Sequence, residues 1–230
     1  MNKKWIQLRR IHLHEKITIL AVAAVVSFLW GGTTAEAGSD DVKLDLTKGS
    51  IEISVDGYRQ GDGEQKDGPE DDGSYIITSN GEETGNVVTV VSGKGHAVTF
   101  NEVNIRTGGA GGYNPLYIAP KAKVKLTLKG KNILFSEGYT AVAVPEEASV
   151  EISAVNGGTL EAWTGAPGVC AGIGGTSTDN KGNAVKNGGC GTVEINSGVI
   201  SATSIGGKDP QSSSGTGYGT LSSDGDGTAW

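Results

Sequence analysis

Ser149-Val150-Glu151-Ile152 and, after a turn at Asn156-Gly157-Gly158, Thr159-Leu160-Glu161-Ala162 alternate apolar and polar residues. This alternation on both sides of an Asn-Gly turn predicts two short strands. Imperfect copies of the unit recur along the chain, at 97–100, 123–126, 192–195 and 198–202. Their recurrence predicts an all-β protein built from repeated strand units.

Equivalent apolar residues of these copies fall at a nearly constant spacing. Ile51, Ile76, Val98, Val124 and Val150 are separated by 25, 22, 26 and 26 residues, and 43 residues then lead to Val193. Such a period is typical of units that bury their apolar faces by stacking on one another. We therefore predict a Gly-rich, right-handed parallel β-helix (solenoid) that forms a single elongated domain. A β-sandwich, which also has short and evenly spaced strands, is the alternative.

Stacking in this register has a consequence for the outward positions. The residue after each column position points away from the core, and two of these residues are Lys125 and Glu151. If the repeats stack, the two side chains are cross-strand neighbours. We expect them to form an ion pair worth less than about 1 kcal/mol.

Residues 1–37 have the composition of a signal peptide. A basic segment precedes an apolar run from Ile17 to Trp30, and Ala35-Glu36-Ala37 is a small-x-small cleavage site. The apolar run is shorter than the roughly 20 residues that a membrane span needs. We therefore predict a secreted or cell-surface protein that is not inserted in a membrane after removal of this signal.

The rest of the chain is acidic and poor in bulky residues. Removal of residues 1–37 leaves 14 Lys+Arg against 24 Asp+Glu, a net charge of −10. Such a surface repels phosphate groups, which argues against nucleic acids and anionic membranes as partners. With 38 Gly and only 3 Phe, the chain favours many small strands joined by Gly-rich turns.

Beyond the signal peptide we predict three segments. Residues 38–74 form an N-terminal strand region that ends in an acidic loop, and residues 75–206 form the solenoid coils, with an insert at 168–189. Residues 207–230 form a flexible Ser/Gly tail or an incomplete last coil.

The acidic loop at 56–73 raises the question of a calcium site. It contains Asp62, Glu64 and Asp67, and hard cations such as Ca²⁺ take clustered carboxylates. The spacing does not match an EF-hand loop, so a solvated turn is the favoured interpretation and calcium the weaker one.

Two cysteines, Cys170 and Cys190, bracket the insert. In an exported chain they predict a disulfide. Closing a loop of about 20 residues would stabilise the fold by roughly 3 kcal/mol in the chain-entropy model.

The insert and the repeat after it carry a recognisable motif. Ala171-Gly172-Ile173-Gly174-Gly175 is followed by Gly188-Gly189-Cys190-Gly191 and by a strand pair at 192–203. This arrangement resembles the Gly-Ile-Gly-Gly repeat of secreted Gram-positive bacterial carbohydrate-binding-domain-containing and surface β-helix proteins, over roughly residues 75–206. The resemblance implies a β-helix fold and a polysaccharide or glycoconjugate as the ligand, and it assigns no sugar-contact residue.

Aromatic side chains are the candidates for sugar binding, because their rings stack on the apolar faces of pyranoses. Tyr113, Tyr117, Tyr139 and Trp163 fall in or beside turns of successive repeats and could line one edge. Filling of coil corners is the competing interpretation for each of them. We predict a non-catalytic carbohydrate-binding or adhesion module, an adhesin-like protein of the cell surface, with no cofactor.

Two other functional classes stay open. A polysaccharide lyase or glycosidase on the same scaffold would use paired carboxylates, for which Glu151, Glu161 and Glu194 are the outward candidates. A structural surface spacer would have neither a groove nor an aromatic edge. His96, the one histidine after residue 37, is predicted to lie in an exposed turn.

Overall fold

The computed structural model describes residues 41–69, 73–91, 93, 95–108, 113–165, 170–185 and 188–205, and the backbone of 228–229. The predicted signal peptide at 1–37 lies outside the described residues, as does the predicted tail at 207–230 apart from 228–229. No helix in the described part of the chain is long and apolar enough to cross a membrane.

Sixteen strands and one short 3-10 helix make up the described fold. The 3-10 helix spans Leu46–Lys48. The strands are β1 (Val42–Asp45), β2 (Ile51–Ser54), β3 (Gly57–Gln60), β4 (Tyr75–Thr78), β5 (Glu83–Thr84), β6 (Val88–Val90), β7 (Gly95–Asn101), β8 (Asn104–Thr107), β9 (Leu116–Ile118), β10 (Lys123–Ser136), β11 (Val142–Ala143), β12 (Ser149–Thr164), β13 (Ile173–Gly174), β14 (Thr192–Ile195), β15 (Val199–Ala202) and β16 (Thr228–Ala229).

Ten strands form sheet A, whose main path runs β1-β4-β7-β10-β12-β15-β16. Strand β14 also pairs with β12, and β8 joins β5 to β10. All of these pairs are parallel. The sheet is curled into a half-barrel.

The curl of sheet A has a local cause in its two longest strands. The register of β10 against β12 shifts between Lys129 and Lys131, at Gly130, which has φ +64°. In β12 the backbone turns at Asn156, with φ +52°. Bulges of this kind bend a strand and increase its twist. The fully buried Asn132 side chain accepts from the Val103 amide at 3.0 Å and so supports the bend from inside.

Sheet B has six strands in the order β13-β11-β9-β6-β2-β3. Its pairs are parallel except for β2 and β3, which form an antiparallel hairpin. Gly57 has φ +116° at the turn, and a Cβ there would lie 2.0 Å from the Lys66 carbonyl oxygen. Glycine is therefore the residue that this turn and the close chain crossing require.

One hydrophobic core lies between the two sheets. Sheet A contributes fully buried side chains such as Phe100, Leu126 and Ile152, and sheet B contributes Ile53 and Leu116. Alternate residues of each strand therefore point inward, and the residues between them form the outer face of each sheet.

The predicted right-handed β-helix solenoid is wrong, because the structure is a curled parallel sheet A and a mixed sheet B. The predicted column does not stay in phase. Ile51 lies in sheet B opposite Val88, and Ile76 points outward while its neighbour Ile77 is buried. Val98 pairs with Leu126, two residues beyond its predicted partner Val124.

Part of the predicted register is correct. Val124, Val150 and Val193 are cross-strand partners, and Lys125 pairs with Glu151. The ion pair between Lys125 and Glu151 is not found among the described side chains. Glu151 Oε1 instead accepts from Asn196 Nδ2 at 2.8 Å.

Two predicted loop features are ordered parts of sheets. The predicted acidic loop at 56–73 contains β3, which pairs with β2. His96 lies on β7 and is 8% exposed, so its predicted place in an exposed turn is wrong. Its Nε2 has no hydrogen-bond partner in the described structure.

Candidate functional site

A row of side chains on the outer face of sheet B forms the floor of a cleft. Arg59 on β3 lies opposite Glu52 on β2, Glu52 is in register with Thr89 on β6, and Thr89 with Tyr117 on β9. Neighbouring strands lie about 4.8 Å apart, so the four positions span roughly 14 Å. The floor therefore runs from the guanidinium of Arg59 at one end to the buried phenol of Tyr117 at the other.

The insert forms one wall of this cleft. Its residues Thr178 and Ala184 form an antiparallel bridge, and the tip between them contains Asp179, Asn180 and Lys181. The Asp179 carboxylate accepts from the Lys181 amide at 2.8 Å and therefore fixes the tip as a tight turn. Asn, Asp and Gly residues make this turn locally stable.

Two amide side chains attach the insert to the body of the protein. Asn180 Oδ1 accepts from the Asn114 backbone N–H at 2.9 Å and from Asn114 Nδ2 at 3.1 Å, and Asn180 Nδ2 donates to the Asn114 backbone carbonyl at 2.9 Å. Asn180 Nδ2 also donates to Thr89 Oγ1 at 3.2 Å, on the cleft floor. Asn114 is fully buried, so these bonds are shielded from water and expensive to break.

Tyr113 provides an exposed ring at the cleft. Its side chain is 45% exposed, and its carbonyl oxygen accepts from Thr107 Oγ1 at 2.6 Å and from Ser136 Oγ at 3.3 Å. The backbone is therefore held while the ring is left open to solvent. Together the floor, the insert and Tyr113 enclose about 690 Å³, further lined by Ser50, Ile51, Gly61, Gly85, Asn86, Val87, Val91, Ala119 and Pro120.

The ionisable groups of the cleft are tied to one another. Glu52 Oε2 lies 3.3 Å from Lys181 Nζ, which joins the floor to the insert. Burial acts to raise the pKa of Asp179, but hydrogen bonds from Asn183 and Lys181 outweigh it and hold the pKa below its usual value. Asp179 is therefore a carboxylate at neutral pH.

Tyr117 is a neutral phenol at the inner end of the floor. Burial raises the pKa of Tyr117 to about 12, and the negative charge of Asp179 acts in the same direction. The side chain is only 5% exposed. Tyr117 therefore shapes the floor and offers a ligand an edge, whereas Tyr113 offers a ring face.

The lining of the cleft includes two carboxylates, those of Glu52 and Asp179, and both make polar contacts with neighbouring groups. A glycosidase needs one carboxylic acid whose pKa is raised so that it can protonate the leaving group. The pKa of Asp179 is lowered instead, and Glu52 is in an ion pair with Lys181. The Glu52 carboxylate contacts the insert through Lys181, whereas the hydrogen bonds of Asp179 to Lys181 and Asn183 lie within the insert.

The structure brings together two of the four predicted aromatic residues. Tyr113 and Tyr117 line the cleft, but Trp163 lies on β12 of sheet A, in register with Phe135. Tyr139 follows β10, is partly buried, and its amide donates to Ser136 Oγ at 3.0 Å. The four side chains therefore do not form one common edge.

The carboxylates considered for catalysis lie on the outer face of sheet A. Glu151 and Glu194 are cross-strand partners beside a cavity of about 360 Å³ that Lys123 and Lys125 also line. Glu161 is in an ion pair with Lys131 at 2.9 Å. Of these carboxylates only Glu161 has an ion pair among the described side chains, and Glu151 accepts from Asn196.

The predicted disulfide is wrong, since Cys170 and Cys190 are not bonded to each other. The carbonyl of Ala171, next to Cys170, accepts from the Ala141 amide, whereas Cys190 bridges Pro145. The two cysteines are therefore held at different points along residues 141–145, whereas a disulfide needs Cα atoms about 4.4–6.8 Å apart.

The described residues of the acidic loop gather no set of metal ligands. Asp62, Glu64 and Asp67 are exposed, and no group of three or more metal-ligating side chains occurs within the described ranges. The structure thus leaves the weaker calcium interpretation without a gathered ligand set.

Sequence reasoning missed five of the cleft residues: Glu52, Arg59, Asp179, Asn180 and Lys181. A signal for this hairpin was present in Asp56-Gly57, a dipeptide common at hairpin turns, although the two turn residues are Val55 and Asp56 and Gly57 begins β3. A second signal was the Asp-Asn-Lys-Gly-Asn run at 179–183, whose composition predicts an ordered turn. Neither signal indicates which surface the turn meets.

Comparison with known proteins adds no family to this description. No family model, no curated protein and no solved structure matches the chain.

Proposed function

We propose that this chain is an exported, non-catalytic glycan-binding module that takes a polysaccharide or glycoconjugate in the cleft on sheet B. The observation that carries the proposal is the exposed ring of Tyr113 beside a polar floor in a cavity of about 690 Å³. Sugar sites combine such a ring, for the apolar face of a pyranose, with a few fixed polar groups for its hydroxyls.

The polar groups of the floor retain capacity for a ligand. A guanidinium has five donors, an ammonium three, and a carboxylate accepts about four hydrogen bonds. Glu52 and Lys181 use one contact each on the other. Because that contact and the Asn114–Asn180 bonds fix the side chains beforehand, less conformational entropy is lost on binding.

Export and a role in adhesion are part of the proposal and rest on the composition of residues 1–37 and on the resemblance of the Gly-Ile-Gly-Gly motif. The lowered pKa of Asp179 and the Glu52–Lys181 pair support a non-catalytic role. A polysaccharide-cleaving enzyme and a structural spacer are the outcomes that would replace it.

Glycan-array binding of the purified chain tests the proposal. We expect Tyr113→Ala to weaken retention of the bound glycan by about tenfold or more, the loss of about 1.4 kcal/mol in binding free energy. Trp163→Ala is the matched control, because Trp163 is 39% exposed but lies on sheet A. That control should bind as the unchanged chain does.

Three results would contradict the proposal. Retention of no glycan by the folded chain would favour a spacer. Loss of binding in Trp163→Ala and not in Tyr113→Ala would move the site to sheet A. Release of new reducing or unsaturated sugar ends during incubation would identify an enzyme.

A further inference from the structure

We infer that the cleft selects acidic sugars, with the carboxylate of a uronate residue bound by Arg59 at the open end of the floor. The inference rests on the proposed function and names its ligand class. It comes from the arrangement of three charged side chains in the cleft, of which Glu52 and Lys181 are paired with each other and Arg59 has no ion pair in the described structure.

Arg59 lies directly opposite a carboxylate that is engaged elsewhere. Arg59 and Glu52 are cross-strand partners in the β2–β3 hairpin, a position at which opposite charges usually pair. Glu52 Oε2 is instead 3.3 Å from Lys181 Nζ. Within the described part of the chain, Arg59 has no ion pair, and it is exposed at the cleft.

The insert is therefore what leaves the guanidinium available. Lys181 is held over the floor because Asn180, its neighbour in the turn, is bonded to Asn114. By taking the Glu52 carboxylate, Lys181 keeps it from neutralising Arg59. The insert thus forms one wall of the cleft and also leaves the charge of Arg59 unpaired at the open end of the floor.

The chemistry of Arg59 favours a carboxylate ligand. A guanidinium is planar and matches a carboxylate with two parallel N–H···O bonds, which gives orientation as well as attraction. Arg59 lies about 14 Å from Tyr117 along the floor, so a ligand that reaches from Arg59 to Tyr117 has to be an oligosaccharide. The acidic charge of the whole chain is screened beyond about 8–10 Å at physiological ionic strength.

Binding of trigalacturonate and of its methyl ester measures the effect of the ligand's carboxylate at constant ring structure. We expect the acid to bind about tenfold or more tightly than the ester, as a charge-assisted bidentate contact allows. The same comparison is made with oligomers of guluronate, mannuronate and glucuronate and their esters, so that ring stereochemistry does not decide the result.

Variants of equal net charge separate Arg59 from a general effect of charge. Glu52→Gln/Lys181→Gln leaves Arg59 as the unpaired cation, and Glu52→Gln/Arg59→Gln leaves Lys181. We expect the first double variant to bind the acidic oligomer about tenfold more tightly than the second. Lys181→Gln alone should weaken binding, because Glu52 is then free to pair with Arg59.

The results of these binding measurements distinguish failure of the inference from failure of the proposed function. Equal affinity of the two double variants, or of every acid and its ester, would overturn the inference. If glycans bind in a Tyr113-dependent way while Arg59→Gln changes nothing, the inference fails and the proposed function stands. If the folded chain binds none of the glycans, the proposed function itself fails.

Discussion

The outer faces of sheets A and B consist of the same kind of cross-strand rows, yet the cavity on sheet B is the larger of the two described above, about 690 Å³ against about 360 Å³. On sheet A the row Arg106–Phe135–Trp163 runs across three strands, with Arg106 4.2 Å above the Phe135 ring. On sheet B the row that contains Glu52 is met by the insert at Lys181. A row of side chains on a sheet becomes a candidate site here because a distant segment folds back over it.

The hydrophobic core between the sheets supports both outer faces. A substitution in this core should therefore have the largest effect on the free energy of unfolding. Phe100 is fully buried on β7, and Phe100→Ala should lower the free energy of unfolding by about 3–5 kcal/mol. Thr99→Ala, at the outward position next to it, should cost about 0.5 kcal/mol or less. Urea denaturation measures both values. A loss below 1 kcal/mol for Phe100→Ala would show that the two sheets do not share this core.

A pair of buried asparagines distinguishes the two faces more sharply. Asn114 and Asn132 are both fully buried and both hydrogen-bonded, so replacing either with Ala should cost about 1–3 kcal/mol. Only Asn114→Ala should loosen the insert, because the Asn114 side chain, unlike that of Asn132, donates to the insert at the Thr178 carbonyl and at Asn180 Oδ1. Limited trypsin digestion should then cut after Lys181 much faster in Asn114→Ala than in Asn132→Ala.

Glycan binding provides the second readout for these asparagine variants. We expect Asn114→Ala to lose binding and Asn132→Ala to keep it under conditions in which both are folded. Equal loss in the two variants would mean that the cleft depends on overall stability and not on the attachment of the insert.

The strands of sheet A could be predicted from the sequence, but their phase could not. Alternation marks one face as buried, and a slip of two residues leaves the same face inward. Val98 therefore pairs with Leu126 without any change in pattern. In Tyr75-Ile76-Ile77 three apolar residues follow one another, so alternation does not say which of them is buried.

The residues of the cleft were harder to predict from the sequence than the strands of sheet A. Asn114 and Asn180 lie 66 residues apart, and the hydrogen bonds between them leave no periodic pattern in the sequence. The aromatic criterion found the exposed ring of Tyr113, and it also selected Tyr117, which is 5% exposed on β9. The charged residues Glu52 and Lys181 meet through tertiary structure alone.

Acid should act on the two regions in different pH windows. Burial lowers the pKa of His96, at the start of β7 in sheet A, so the unfolded chain binds a proton that the folded chain does not. Stability from this source is complete above the usual histidine pKa of about 6.5 and falls below it, by up to about 1.4 kcal/mol per pH unit, until the folded pKa is reached. The pKa of Asp179 is lowered too, so its contribution on sheet B is present above the usual value of about 3.9 and is lost below it.

The measurement is the urea midpoint between pH 4.5 and 7.5. His96→Gln should flatten the decrease below pH 6.5, whereas Asp179→Asn should leave the slope of this range unchanged. An unchanged slope in His96→Gln would show that another group is responsible for the acid sensitivity.

Surface ion pairs should have the smallest effects on the free energy of unfolding. They also allow one more comparison between the outer faces of sheets A and B. Lys131 and Glu161 on sheet A are 61% and 37% exposed, and a double-mutant cycle should give a coupling of about 0.2–1 kcal/mol that weakens in high salt. Lys125 and Glu151, in register without an ion pair, should couple by less.

The Glu52–Lys181 pair should resemble these pairs in stability and differ from them in function. Its side chains are 31% and 66% exposed, so its cycle should also stay below about 1 kcal/mol. Because Lys181 controls which partner Glu52 takes, the same substitutions should change the affinity for an acidic glycan, which the sheet A pairs should not. If the Lys131 and Lys181 variants changed glycan binding equally, the row on sheet B that the insert covers would not differ in function from the open row on sheet A.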